Sequence, residues 1–129
     1  MEFDRARRFM YNLSDEVRQD TQEYTMVIEH ILKEFREKAD KLYGRRLKRI
    51  VLYGSYARGQ ATQDSDIDLA VVLEGDVIAG EEIDRLIDVI TDINLNHCVL
   101  LSVYPVSEKD YNSVDSPLLL NIRKEGVAA

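Results

Sequence analysis

Asp66 and Asp68 stand one residue apart at the head of an apolar run, and the pair Gly54-Ser55 precedes them by ten residues in the stretch GSYARGQATQDSDIDL. If the run is a strand, side chains alternate between its faces, so the two carboxylates point the same way. Their Cβ atoms then lie roughly 6–7 Å apart. Two bare carboxylates at that separation repel by roughly 2–3 kcal/mol at an effective dielectric constant of about 20. A divalent cation removes the repulsion, and Mg²⁺ suits the place because it takes a few carboxylates together with phosphate oxygens and water. Gly54 lets the backbone approach a ligand closely. Ser55 offers a hydroxyl and an N–H where a strand gives way to a turn, a position suited to phosphate. A phosphate cradle facing a metal-binding carboxylate pair is the equipment of metal-assisted nucleotide transfer. Each half alone is weak, since Asp-x-Asp is commonly a solvated strand start. Here Asp68 leads into Leu69, Ala70, Val71, Val72 and Leu73, which commits it to a buried strand where a charge needs a partner.

The elements that must position these residues are legible as periodicities. Residues 14–43 read as one long helix: Ser14 is its cap, Asp15 and Glu16 suit the first turn, and Val17, Tyr24, Val27, Ile28, Ile31, Leu32 and Phe35 recur near the helical period. Gly44 is its stop. Residues 47–53 form a first strand whose near-continuous apolar end predicts burial on both faces. A second strand covers about 66–73. Residues 80–95 form a second helix with Ile83, Leu86, Ile87, Ile90 and Ile93 on one face. A third strand covers about 98–104 and is closed by Pro105, after which Ser107 caps a short helical turn. A last helix starts at Pro117 and ends at Gly126. The order α-β-β-α-β-α describes an α+β domain, a small sheet with helices packed on it. The relative direction of the first two strands stays open. Residues 1–129 read as a single domain, with the core in about 47–126.

Composition narrows the partners. Seventeen Lys and Arg against 24 Asp and Glu give a net charge of -7, which argues against direct nucleic-acid binding and suits a basic partner protein or a cationic cofactor. The one cysteine, Cys98, allows no internal disulfide, as suits a reducing cytoplasm. No apolar run approaches the length of a membrane span, and the first residues lack the apolar centre of a signal peptide.

The stretch GSYARGQATQDSDIDLAVV resembles the signature of the DNA polymerase β-like nucleotidyltransferases, Gly-Ser followed after ten residues by Asp-x-Asp, and Arg58-Gly59 and Ser65 match the form common among small prokaryotic members. The ending SPLLLNIRKEGV is similar to the tail of the minimal nucleotidyltransferases, antitoxins encoded beside HEPN-domain ribonuclease toxins. Together these cover most of residues 47–126. The resemblance implies a polymerase β-like fold with a small mixed β-sheet, binding of ATP with Mg²⁺, and transfer of a nucleotidyl group to a hydroxyl. For the antitoxins it implies a hetero-oligomeric HEPN toxin partner and transfer of AMP to one of its tyrosines, which silences the ribonuclease. Carried over by position, Asp66 and Asp68 are the catalytic, metal-binding pair, and Gly54 and Ser55 hold the nucleotide phosphates.

The family often places a third carboxylate on the next core strand, and here none is found. In the register 98–104, Cys98 takes that place, a poor base and a poor Mg²⁺ ligand near neutrality. Its plain reading is a small buried core residue. His97 then points to the opposite face, and Glu108 or Asp110 are alternative sources of a carboxylate. A protein lacking that group could also act by contact alone, as a non-catalytic antitoxin or nucleotide-binding module. His30 reads as a surface residue. Lys41, Arg45, Arg46, Lys48 and Arg49 form a basic cluster, read as a solvated element end with attraction to triphosphate as the functional option; Arg123 and Lys124 are read similarly. Tyr53 is expected in the core and Tyr56 as a stacking platform for a base.

Overall fold

The computed structural model describes residues 15–62 and 64–129, with side chains from Met26 onward. Helix α1 (Asp15–Tyr43) runs through a 3-10 turn (Gly44–Arg46) into β1 (Leu47–Tyr53). Strand β2 (Ile67–Leu73), helix α2 (Ala79–His97), strand β3 (Leu101–Ser107), helices α3 (Glu108–Ser113) and α4 (Pro117–Glu125) and the two-residue strand β4 (Val127–Ala128) follow. The expected cap at Ser14 lies outside the described residues, as do the side chains of Val17 and Tyr24.

The sheet order is β3-β2-β1-β4. β1 pairs antiparallel with β2 and with β4, while β2 and β3 run parallel through the α2 crossover, so the sheet is mixed and the fold is α+β as expected. Alternation along the strands gives it two apolar faces. On the first, Ile50, Leu52, Leu69 and Val71 pack against Ile31, Leu32 and Phe35 of α1 and Leu86, Ile90 and Ile93 of α2. On the second, Val51, Ala70, Val72 and Val106 pack against Tyr111 of α3 and Leu119 and Ile122 of α4. All of β2 except Asp68 is buried, which is what its unbroken run from Leu69 to Leu73 required. The buried stripes of the helices are narrower than the apolar periodicity implies. Val27 of α1 and Ile87 of α2 are exposed, and Glu82 is buried instead.

Two elements differ from expectation. The third strand begins at Leu101, three residues later than placed. Cys98 is the C-cap of α2, in left-handed conformation (φ 52, ψ 44), and it is exposed rather than a core residue. The backbone N–H of Val99 then bonds the Asn94 carbonyl, and the Asn94 side chain accepts from Leu101 N at 2.9 Å, which together set the turn into the strand. Pro105 lies inside β3, not beyond it. β3 is an edge strand, so a residue without an N–H is tolerated there. The second difference is β4, which the helix-terminating role of Gly126 concealed. A Cβ at Gly126 would strike Ile122 O and Val51 Cγ1, so a glycine is needed where α4 closes onto β1.

The start of the sheet is anchored by a buried acid. Glu82 on α2, 4% exposed in its side chain, pairs with Arg46 at 2.8 Å, with Arg85 at 3.6 Å, and accepts from the Tyr43 hydroxyl at 3.3 Å. Arg46 also donates to the carbonyls of Glu74 and Asp76. Burial and the neighbouring Glu82 carboxylate push the Tyr43 phenol up to about 12.

Candidate active site

β1 ends at Tyr53 and the chain folds at once into a tight helical turn: Arg58 N bonds Gly54 O at 3.1 Å and Gln60 N bonds Ser55 O at 2.9 Å. Gly54 has φ +74, a left-handed conformation that only glycine adopts at low cost. Its second reason lies across the sheet. A Cβ on Gly54 would collide with the carboxylate Oδ2 of Asp68. The space above Gly54 is therefore taken by an acid of the site, and the glycine allows Asp68 and the turn to meet. The register agrees, since Tyr53 is the partner of Asp68 in the β1–β2 ladder.

Asp66 stands one residue before β2, and Thr62 and Ser65 hold the approach to it. Thr62 N donates to Ser65 Oγ at 2.9 Å and Ser65 N to Thr62 O at 3.1 Å. The Ile67 N–H bonds Leu100 O, so the extended chain joins the sheet directly after Asp66. Asp66 and Asp68 sit on the second face, the one carrying Ala70 and Val72. At this end of the sheet that face is only partly covered, so Asp66 is exposed and Asp68 half-buried. Burial pushes the Asp68 carboxyl above its ordinary range, the Asp66 carboxylate adds to the push, Arg58 opposes it, and Glu125 adds a little more. Burial and the Asp68 charge likewise push the Tyr53 phenol up to about 12. The structure thus brings together Gly54, Ser55 and Asp68 with Asp66 alongside.

A divalent cation fits this arrangement. The Asp66 carboxylate adds to the cost of charging Asp68 on a half-open face, beside a turn whose N–H groups suit phosphate. Among the described residues no group of three or more His, Cys, Asp or Glu could hold a metal ion unaided. Mg²⁺ commonly completes such a two-carboxylate site with phosphate oxygens and water.

The residue beside Asp68 on β3 is Ser102, by the parallel register Asp68↔Ser102, and not Cys98. Strand alternation puts Ser102 on the face of Asp68. The place beside Asp68 on β3 is therefore held by a serine and not by a carboxylate. The polar Ser102 inside Leu-Leu-Ser-Val was the available signal for that register. His97 is the last residue of α2, bonded to Glu34 of α1 at 3.1 Å with the exposed His30 beside it, on the α1–α2 side of the sheet and so across it from the face of the acids. Glu108 and Asp110 follow the far end of β3, about 20 Å along the strand from the level of Asp68. Arg123 is committed to Tyr111 O, Val114 O and Asp115. The basic cluster begins the other end of β1, with Arg46 on Glu82, Lys48 on Glu74 and Arg49 over the Tyr111 ring. Tyr53 packs on the second core as expected. Tyr56 is half-buried and packs against the first, with its hydroxyl 3.5 Å from Thr62 O.

One acid at the site was not anticipated. Glu125, the last residue of α4, accepts from the backbone N–H of Gly54 at 3.3 Å and takes Arg58 Nη1 on both its oxygens, at 3.1 and 3.2 Å. Its position follows from β4. Leu52 pairs with Val127 in the antiparallel ladder, and two further steps of that register set Glu125 opposite Gly54. A glutamate immediately ahead of Gly126-Val127-Ala128 was the signal, readable only once β4 is known to pair with β1.

Comparison with known proteins agrees with this geometry. A family model described as nucleotidyltransferase domain matches residues 28–118. Three relatives from Methanocaldococcus jannaschii carry the provisional name protein adenylyltransferase. MJ0604 is 36% identical over 99 residues, spanning 76% of this chain and 93% of its own. MJ1305 is 32% identical over 100 residues, spanning 74% and 67%, and MJ0141 is 30% identical over 77 residues, spanning 60% and 77%.

Proposed function

Because this chain belongs to the nucleotidyltransferase domain family, we propose that it is an Mg²⁺-dependent adenylyltransferase that moves AMP from ATP to a hydroxyl of a partner protein, the partner being a HEPN ribonuclease toxin and the acceptor one of its tyrosines. AMP transfer is supported by the family match and by the names of the relatives. The toxin as partner rests on the resemblance of the 116–127 tail to the antitoxins. The observation that carries the reading is the contact between Gly54 and the Asp68 carboxylate, with Asp66 on the same half-open face, which puts a phosphate-suited turn against a carboxylate pair.

In this reading Asp66 and Asp68 hold the metal, which when bound neutralises phosphate charge and lowers the cost of bringing an anion to the acids. The Gly54–Gly59 turn receives the triphosphate and fixes the α-phosphorus in line with the acceptor. The acceptor oxygen bonds to that phosphorus, the bond to the β-phosphate oxygen breaks, pyrophosphate leaves with the electron pair, and the hydroxyl proton passes to solvent. The test is incubation with the protein encoded beside it, ATP and Mg²⁺. The expected outcome is a gain of AMP mass on the neighbour, lost in Asp66→Ala; a folded neighbour that gains no mass speaks against it.

Ser102 in place of a carboxylate favours a second reading, neutralisation by contact without chemistry. An Asp66→Asn, Asp68→Asn double variant separates the two: full protection of cells by that variant means that contact suffices.

A further inference from the structure

Gly54 is bracketed by two acids that do different things. Asp68 crowds its Cα from the β2 side, while Glu125 reaches its N–H from the β4 side. The Glu125 contact continues the β1–β4 ladder, a side-chain oxygen standing where the next backbone rung would fall. The same carboxylate grips Arg58, whose Nε is tied to the Gln60 side chain at 3.2 Å. Among the described residues Nη2 of Arg58 has no hydrogen-bond partner. One carboxylate therefore fixes both ends of the Gly54–Arg58 turn, its first N–H and its one guanidinium, and leaves an Arg58 donor facing outward. A guanidinium held this way loses little rotamer freedom on meeting phosphate oxygens. Glu125 is engaged by Gly54 N–H and by Arg58 on both its oxygens, and it belongs to no metal-capable group among the described residues, so its chemistry is that of a brace and not of a third metal ligand. It also lies beyond the 28–118 segment that the family model matches.

We propose that Glu125 is a positioning residue for the nucleotide: by clamping the Gly54 N–H and Arg58 it presets the Gly-Ser turn that receives the triphosphate of ATP. The proposal rests on the nucleotidyltransferase reading and adds to it the residue that aims the turn.

Calorimetric titration of the full chain with ATP and Mg²⁺ tests it, each protein being held well below its melting temperature. Glu125→Ala removes both acceptors and is expected to weaken ATP binding about tenfold. Glu125→Gln keeps one oxygen in the place of Oε1, which accepts from both Gly54 N–H and Arg58 Nη1, and is expected within about threefold of the parent. Arg58→Lys, whose single nitrogen cannot hold Glu125 and Gln60 together as Nη1 and Nε do, is expected to lose about as much as Glu125→Ala and serves in its place should that variant not fold. A brace that mattered only to folding would lower the melting temperature and leave ATP affinity unchanged. Parent-like or tighter binding by a folded Glu125→Ala overturns the proposal, as does an equal loss in Glu125→Gln. A parent chain that binds no ATP overturns the nucleotidyltransferase reading and this one with it, whereas a parent that binds and a Glu125→Ala that binds equally well overturn this one alone.

Discussion

At the scale of single residues the site is a compromise between charge and cover. Asp68 is half-buried beside Asp66, and its carboxyl is raised above its ordinary value of 3.8 by burial first and by Asp66 second. A group whose folded value is raised holds its proton where the unfolded chain has released it. Folding stability is therefore lost as pH rises from 3.8 through the raised value, and the ionised form weakens the fold at neutrality. Asp68→Asn should melt higher than the parent at pH 7 without Mg²⁺, with the difference shrinking in acid and shrinking again when Mg²⁺ and ATP are added to the parent. Scanning calorimetry across pH checks this, and nucleotide transfer should be lost in the same variant. Ser102 offers the converse experiment. Ser102→Asp restores a carboxylate next to Asp68 on β3, and if proton removal limits turnover, kcat should rise tenfold or more, within the roughly 10²–10⁴-fold range of general-base assistance. Steady-state release of pyrophosphate reads this directly.

At the scale of elements, positions are set by ends and not by middles. β3 is placed by the left-handed cap at Cys98 and the Asn94 bonds, and those three residues of offset move the place beside Asp68 from a thiol to a hydroxyl. β4 has only two residues, yet its register carries Glu125 to Gly54. At the opposite end, the Arg46–Glu82 pair ties α2 to the start of β1, and β1 separates it from the Gly54 turn by about 24 Å. Arg46→Ala leaves Glu82 buried with the longer Arg85 contact as its remaining cation. The expected cost is about 3 kcal/mol of stability by chemical denaturation, with ATP affinity unchanged in the folded protein because the site lies at the other end of the strand.

At the scale of the whole molecule the two faces of the sheet divide the labour. One is sealed by α1 and α2 and supplies the larger core; the other is closed by α3 and α4 toward one end and left half-open at the end bearing the acids. A net charge of -7 and carboxylates concentrated at the open end disfavour a bare polyphosphate, so Mg²⁺ and ATP should stabilise together far more than either alone. Ligand at about one hundred times its Kd adds about 2.7 kcal/mol, a rise of about 8–12 °C in melting temperature for a domain of this size. A thermal-shift matrix of ATP against Mg²⁺ measures the coupling. No helix among the described residues is long and apolar enough to cross a membrane.

The local signals sufficed wherever a residue's role is settled by its near neighbours. Hydrophobic periodicity located β1, the buried run of β2 and the main helices, residue type marked Ser107 as a cap and Pro117 and Gly126 as the ends of the last helix, and the spacing from Gly54 to Asp68 pointed to the chemistry. Tertiary structure decided what depends on contacts between distant segments. Strand direction, the pairing of β4 with β1, and the meeting of Ser102 with Asp68 are properties of register, and a one-residue slip in register exchanges the faces of a strand without altering its composition. Cys98 looked like the start of a strand because it precedes an apolar run; only packing of α2 against the sheet fixes where that helix stops. Glu125 and Gly54 are 71 residues apart, and no periodicity links them. Their hydrogen bond exists because the chain returns to the edge of β1, which an amino-acid order expresses only through the folded whole.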